Sequence, residues 1–528
     1  MTFGRREFLR TAGLAVSGAL TTTAAAACKS PGQSPAASGP LRASHTPKTT
    51  DWSALGRSLT GRLIRPNDAD YVTARKNFNP RFDTIRPAGI AYCESPHDVA
   101  ECLNFVRQYG LAVTPRCGGH SYTGASLSTG LVIDVSPMSS IRVDAASGTA
   151  TIGAGARLVD VYDRLNTAGV SIPAGSCPTV GISGLTLGGG VGVVSRAHGI
   201  LSDNLRAVEM VTADGRKRSC DARNDPDLFW ACRGGGGATF GVATSFTFAT
   251  HPTSSIVVFF LSWPWSSARA VIDAWQRWAP FAPDALWSNL HVLDGQAQAA
   301  PTLQVGGTYL GARDDAVRLI EALQAKIGAA PSSQVVETTT FEHAMMIEAG
   351  CTTRSTAQCH LPGSLPGRTP AGQESREPEY AASHIFTRPM TGAAIDTILN
   401  SVRRRGGLAG GGQGGIAFDA LGGAVNRVAP DATAFVHRDG LFNAQFTTTW
   451  TTAAATGAIR AQQAWLRSFH TAMKPYASGQ AYQNYADAGL SNWKEAYYGA
   501  NYPKLLKVKN QYDPDRVFHS PQTVGVSA

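Results

Sequence analysis

The sequence predicts an α+β protein assembled from more than one domain. Three observations point there. From Asp83 onward, short apolar runs alternate with amphipathic helical runs. Near His251-Pro252 the pattern changes to longer apolar strands with helices between them. After Lys474 the composition turns rich in Tyr and Asn. At 528 residues, with 43% hydrophobic and 16% charged, the chain suits a globular protein with a large core.

At the N-terminus, Arg5-Arg6-Glu7-Phe8-Leu9-Arg10 precedes a mildly apolar stretch, Ala12 to Ala27. A charged start, a short apolar core and small residues before a cleavage point resemble a twin-arginine export signal over residues 1–28. The apolar stretch is too short and too rich in Thr and Ala for a membrane anchor. The expectation is secretion, with the twin-arginine export machinery as partner. Cys28 is either a lipidated first residue or the end of a simple cleavage signal; the Leu usual three positions before such a cysteine is Ala25 here. Residues 29–55, rich in Pro, Ser, Ala and Thr, read as a flexible linker.

Residues 56–252 read as the first domain. Strands are expected at Ala88 to Cys93, Leu111 to Pro115, Leu131 to Val135 and Thr149 to Ile152. Ser95-Pro96 starts a helix that runs to about Tyr109, and Leu158 to Thr167 forms another. Ser202 to Arg218 contains a hairpin with Asp214-Gly215 as a type I′ turn. Pro226 opens a short helix before the strand Gly241 to Ala249. Residues 253–474 read as an antiparallel sheet covered on one side by helices. Its strands include Ile256 to Trp263, Gln304 to Leu310 and Phe442 to Trp450, and its helices Ala268 to Trp278 and Asp314 to Ile327. The glycine run Gly406 to Gly415 is expected to be a loop before a strand at Ile416. Residues 475–528 are expected to return to the first domain.

Composition excludes some functions. The net charge is +9, yet the basic residues are scattered apart from Arg216-Lys217-Arg218 and Arg403-Arg404-Arg405. No nucleic-acid partner is expected from that footprint. None of the nine cysteines falls in a zinc-ligand spacing, so no metal site is expected. Cys351 with Cys359 and Cys93 with Cys102 are candidate disulfides.

Two motifs carry chemistry. R-C-G-G-H-S, Arg116 to Ser121, presents His120 from a glycine turn; G-S-C-P-T-V-G, Gly175 to Gly181, presents Cys177 from another. Glycines let the backbone approach a ligand closely. An imidazole and a thiolate can each bond an electron-poor ring. The two together suggest a cofactor bonded at two points. Gly181 to Gly192 follows as G-I-S-G-L-T-L-G-G-G-V-G. It is not a Rossmann fingerprint, since Pro173 and Pro178 break any leading strand. Its successive backbone N–H groups suit a pyrophosphate.

With G-G-G-G-A-T-F-G-V (Gly234 to Val242), Y-Q-N-Y-A-D (Tyr482 to Asp487) and Y-G-A-N-Y-P-K-L-L, these motifs resemble the berberine bridge enzyme-like flavoproteins, of the vanillyl-alcohol-oxidase-type FAD fold. The resemblance runs from about Asp83 to the C-terminus. It implies a two-part FAD-binding domain, a substrate domain, and FAD held bicovalently by His120 and Cys177. It places Arg116, Cys117, Gly118, Gly119, Ser121, Thr179, Val180, Gly181, Gly184, Gly188, Gly190, Gly192, Val242, Asn484 and Tyr485 around the cofactor. It puts the proton-accepting Tyr at Tyr482, with Asp419 as an acidic partner and Tyr122 in the active site. Asp419 reads equally as a strand-end cap, and Tyr122 as packing.

Val180 matches the small residue that leaves room for O₂ in family oxidases. Leu185 stands where many members of the family carry His, and Val191 where plant members often carry an aromatic, so plant-type substrate contacts do not transfer. The resemblance therefore implies an FAD-linked oxidase that moves hydride from an alcohol or sugar carbon and forms H₂O₂. The alternatives are a secondary-metabolite or alkaloid oxidase, a dehydrogenase, and a catalytically silent flavin- or ligand-binding protein. Trp263, Trp265, Trp275, Trp278 and Trp287 could stack on sugar rings, although core packing suits most of them better.

Overall fold

The computed structural model describes residues 46–237, 239–295 and 300–526. The export signal, Cys28, most of the linker and Ala238 lie outside the described residues. The fold is α+β, as the sequence predicts. Among the described residues no helix is long and apolar enough to cross a membrane.

Strands β1 (Arg62–Ile64), β2 (Gly89–Tyr92), β3 (Val113–Arg116) and β4 (Leu131–Asp134) form one sheet in the order β1-β2-β4-β3. β2 and β3 both run parallel to β4. Every residue of β2 and of β4 is buried, as parallel strands require. The crossover from β2 to β3 is the helix Pro96–Tyr109. Ser95 accepts the Asp98 N–H at its start and Gly110, at φ +61°, ends it. Val99, Cys102, Leu103 and Val106 make its buried stripe.

A second, antiparallel sheet joins β5 (Ile141–Asp144) and β6 (Thr149–Gly153) to three later strands. After a short strand β7 (Val170–Ser171), these are β8 (Leu205–Thr212), β9 (Lys217–Asp221) and β10 (Gly241–Ala249), in the order β5-β6-β10-β8-β9. β7 pairs with β11 (His251–Pro252). The β8–β9 turn is not type I′. Gly215 has φ +80°, but the only described non-glycine residues at positive φ are Asp225 and Arg516. The Asp214 carboxylate accepts bonds from the Thr212 hydroxyl and the Arg216 N–H, and Asp214 itself keeps a negative φ.

The third sheet has seven antiparallel strands. They are β12 (Ser255–Ser262), β13 (Leu286–Gly295), β14 (Thr302–Tyr309), β15 (Ser333–Thr340), β16 (Glu379–Phe386), β17 (Gln413–Ala420) and β18 (Phe442–Thr449). Their order is β15-β12-β14-β13-β17-β18-β16. Helices Ala268–Gln276, Arg313–Ile327, Gly392–Gly406 and Thr456–Met473 accompany it. Leu286, Leu290, Val292, Phe418, Phe442 and Phe446 are buried with apolar residues of those helices. The residues between them point to the opposite face. The glycine loop ends earlier than the sequence suggests. Gly410, Gly411 and Gly412 turn at positive φ, and Gly414 and Gly415 already belong to β17. A Cβ at Gly415 would lie 2.1 Å from the Val292 carbonyl, so the neighbouring strand demands glycine there.

Cys351 and Cys359 form a disulfide. Cys93 and Cys102 are not bonded; their sulfurs lie 3.9 Å apart. The tail after Lys474 runs back to the first sheet. The buried Lys509 ammonium donates to the Thr239 and Phe518 carbonyls and to Asp513, and Phe518 bridges to Val113 beside β3.

Arg196 joins the glycine segment of residues 181–192 to the large sheet. It is 1% exposed and gives its donors to the backbone carbonyls of Pro280, Ala282, Leu286 and Leu421. No motif in the sequence signals it.

His384 on β16 and His470 on the helix Thr456–Met473 stack at 3.9 Å. His384 Nε2–H donates to the His470 carbonyl, and His470 Nε2–H to that of Ser383. Burial holds His384 down to about 3 and lowers His470 as well. Unfolded histidines take up protons from about pH 6.5. Because the folded values are depressed, the pair's contribution is full above that pH and is lost as pH falls toward the folded values. Melting temperature should therefore drop on acidification below about pH 6.5, and the double variant His384→Gln, His470→Gln should flatten that slope.

Candidate active site

The two glycine turns meet backbone to backbone. A Cβ on Gly118 would sit 2.4 Å from the Gly181 nitrogen, and one on Gly181 would sit 2.1 Å from Cys117 Sγ. Gly119 turns the chain at φ +68°, directly before His120. His120 Nε2 lies 2.9 Å from Thr179 Oγ1, and its ring stacks on Phe78 at 4.0 Å. Cys177 is half-buried. His120 and Cys177 line one cavity of about 490 Å³ between the glycine segments and the seven-stranded sheet.

The remaining glycines expected around the cofactor fall into two physical groups. Gly188, Gly190 and Gly192 are needed for packing. An added Cβ would lie 1.9 Å from Asn484 Oδ1, 2.6 Å from Leu201 Cβ and 2.0 Å from the Ala174 carbonyl, respectively. Gly184 instead faces open space, and it lines the cavity with Gly237, Val180 and Val242. Bare glycine backbone beside two nucleophilic side chains is a cradle that fits a flat ring and a pyrophosphate, and so fits FAD. Arg116 and Cys117 support the turn from beneath. Arg116 pairs with Asp134, and both are buried. Burial works against the Arg116 charge, but Asp134 outweighs it and holds the guanidinium above its ordinary value. Burial pushes the Cys117 thiol up, against the Arg157 guanidinium 3.4 Å away. The Ser121 hydroxyl accepts the Ala125 N–H, shaping the loop.

The C-terminal segment supplies two tyrosines with different surroundings. The Tyr482 oxygen is buried and accepts three bonds: from Gly190 N–H at 3.0 Å, Val191 N–H at 3.2 Å and Asn484 Nδ2 at 2.9 Å. Asn484 Nδ2 also donates to the Leu185 carbonyl. Tyr482 is thus committed to the glycine segment. Burial pushes its hydroxyl up while the three donors pull the other way. The expected Asp419–Tyr482 pair is replaced by another. The short turn Gln483–Tyr485 swings Tyr485 toward the sheet, where its hydroxyl donates to Asp419 Oδ2 at 3.5 Å. Tyr122 is half-buried, 6.0 Å from the Tyr485 ring, and its hydroxyl accepts from Gln445. Burial raises Tyr122 well above its ordinary value, with Glu379, Tyr485 and Cys177 adding to the effect.

The sheet forms the opposite wall. Its cavity face presents Trp287, Asn289 and His291 from β13, Gln304 from β14, Gln413, Ala417 and Asp419 from β17, and Gln445, Thr447 and Thr449 from β18. Asn289 pairs with Asp419 across strands, His291 with Ala417, and Ala417 with Gln445. Ala417 and the bare backbone of Gly415 add little bulk to this stretch of the wall. From Asp419 to Gln413 the strip spans about 20 Å at a strand's rise per residue. Trp263, Trp275 and Trp278 are buried in the helix-side core, Trp265 packs partly buried against it, and only Trp287 of the five lines the cavity.

Sequence reasoning missed this polar face. Its signal was present: N-A-Q-F-T-T-T from Asn443 to Thr449 alternates polar and apolar residues, and W-S-N-L-H-V does so in part. Among the described residues no group of His, Cys, Asp or Glu is placed to hold a metal ion.

Residues 87–221 match the FAD binding domain family, and residues 481–525 match the berberine and berberine-like family. An uncharacterized FAD-linked oxidoreductase of Bacillus subtilis, YgaK, is 34% identical over 471 residues, covering 88% of this chain and 97% of its own. Among solved structures, BBE-like 1 of Physcomitrella patens matches with a TM-score of 0.80 at 28% identity, over 90% of this chain and 99% of that one. A chitooligosaccharide oxidase matches with a TM-score of 0.77 at 25% identity, over the same shares.

The buried Arg116–Asp134 pair is directly testable. Asp134→Ala leaves a buried guanidinium without its counter-charge and should cost about 3–5 kcal/mol. Urea unfolding followed by tryptophan fluorescence measures that loss; a loss under 1 kcal/mol, the size of a surface pair, would contradict it.

Proposed function

We propose that this chain, which belongs to the berberine bridge enzyme-like family of FAD-linked oxidoreductases, oxidises a hydroxyl-bearing carbon of an oligosaccharide. One observation carries the reading: the Tyr485–Asp419 pair stands at the end of a strip of amides, hydroxyls and an imidazole that lines one cavity with His120 and Cys177. Sugar hydroxyls both donate and accept hydrogen bonds. Asn289, Gln304, Gln413 and Gln445 can answer in either sense. Trp287 offers an apolar ring to a sugar face. A strip of about 20 Å is longer than one sugar ring, so several linked units fit.

Asp419 accepts the phenolic proton of Tyr485 as the Tyr485 oxygen takes the proton of the substrate hydroxyl. A tyrosine ordinarily titrates near 10 and needs such a relay to act as a base near neutral pH. Tyr482, with its oxygen filled by three donors, holds the Gly190-Val191 backbone in place. Tyr122 stays neutral and positions Gln445. When bound, FAD would supply the hydride acceptor and, with O₂ as the final acceptor, the route to H₂O₂. His120 and Cys177 would hold it covalently at two points, with Thr179 and Phe78 fixing the imidazole. Val180, small and lining the cavity, would leave room for O₂ beside a bound flavin. The N-terminal Arg5-Arg6 signal sends the folded, FAD-loaded protein out of the cytoplasm by the twin-arginine route. Oxidation of a secondary-metabolite alcohol is the second reading, favoured by Phe260, Trp287 and Leu293 on the same wall.

Acid precipitation tests the anchors. FAD should stay with the wild type and with His120→Ala, and leave only the double variant His120→Ala, Cys177→Ala; free release from wild type would overturn double attachment. Peroxide release over a panel of oligosaccharides and secondary-metabolite alcohols separates the two substrate readings. On the active compound, Tyr485→Phe and Asp419→Asn should each lower the rate of flavin reduction by about 10²–10⁴-fold. Full activity in both variants would remove the assigned base.

A further inference from the structure

Asn443 stands beside Asp419 in the sheet. The two are direct cross-strand partners, β18 against β17, and Asn289 on β13 faces Asp419 from the other side. Partners in such a row have Cβ atoms about 4.5–5.5 Å apart. Asn443 shares the face of Gln445 and Thr447, since Phe442 and Ala444 point into the helix-side core. It is 1% exposed, and neither its Oδ1 nor its Nδ2 has a hydrogen-bond partner among the described residues. A buried amide left unpaired destabilises the fold, and an apolar residue of similar shape would be tolerated better. Asn289 is different: its Oδ1 already accepts the Gly306 N–H.

We propose that Asn443 is a positioning residue for Asp419, whose amide, by a turn of its own side chain, donates to the carboxylate and holds it ionised and aimed at Tyr485. The proposal rests on the reading of Asp419 and Tyr485 given above. The other titratable groups on that part of the cavity are His291 from β13, Glu379 from β16, Tyr122 from the histidine turn, and Tyr482 and Tyr485 from the C-terminal segment. The only arginine lining the cavity among the described residues is Arg116, across the cofactor cradle and paired with Asp134. The stability conceded by a lone buried amide is then exchanged for a carboxylate kept in its proton-accepting form.

A thermodynamic cycle that needs no turnover tests this. Melting temperatures of the FAD-loaded protein are compared at about pH 4.5 and about pH 8, on either side of an ordinary or modestly raised carboxyl value. The four proteins are the parent, Asn443→Leu, Asp419→Asn and the double variant. Removing the donor makes the charged carboxylate costlier in the folded state. Asn443→Leu should therefore match or exceed the parent at the acid pH and lose ground at the alkaline pH. In the Asp419→Asn background the effect of Asn443→Leu should be equal at both. Histidine contributions cancel in these differences. Asn443→Ala repeats the comparison with a smaller side chain.

On a compound found active in the panel, the acid limb of flavin reduction should move up by about one pH unit in Asn443→Leu, tenfold in rate at the foot of the limb, with KM little changed. A pH-independent effect of Asn443→Leu in the presence of Asp419, or the same pH dependence without Asp419, overturns the proposal. Undiminished flavin reduction in Asp419→Asn instead overturns the parent reading, and the melting cycle still reports on the contact.

Discussion

The site depends on two stretches of backbone touching where no side chain fits. Gly118 and Gly181 face each other with less room than one Cβ needs. That contact fixes the distance between the turn ending in His120 and the turn following Cys177. Everything reactive is referred to it. Thr179 reaches the imidazole because its turn is pressed against the histidine turn, and Arg116 holds the strand below through Asp134. A contact made of glycine backbone tolerates no substitution by a larger residue, so both motifs read so sharply in the sequence.

This explains which parts of the molecule were legible. His120 and Cys177 stand out because glycine turns and nucleophiles are local features. The helix Pro96–Tyr109 was legible through its Ser cap and its first-turn proline, both local to its start. The partner of Asp419 was not legible. Tyr482 and Tyr485 are three residues apart in one motif, and only the distribution of hydrogen-bond donors around them separates an anchored phenol from one that meets a carboxylate. The polar face of the large sheet was hidden for another reason. Its residues lie on four strands from Trp287 to Thr449, and register alone brings them together. The turn at Asp214 shows the limit of dipeptide rules, since two side-chain hydrogen bonds override the usual preference.

The large sheet serves two purposes with alternate residues. One set, Leu290, Phe418 and Phe446 among them, builds a core with the helices. The other set lines the cavity and bears no comparable packing duty. Polar residues on that second face cost stability where they are buried, as at Asn443 and at the indole N–H of Trp287, which also lacks a hydrogen-bond partner among the described residues. The core face can carry that cost because it is nearly all apolar and closely covered.

Arg196 attaches the glycine segment to the strands through main-chain carbonyls alone. Carbonyls are the same whatever residue bears them. The wall opposite the cofactor can therefore be rewritten, position by position, without loosening the joint that aligns it. A scaffold clamped in this way is open to selection for new substrates by drift in a few outward-facing strand positions, while the redox half stays unchanged.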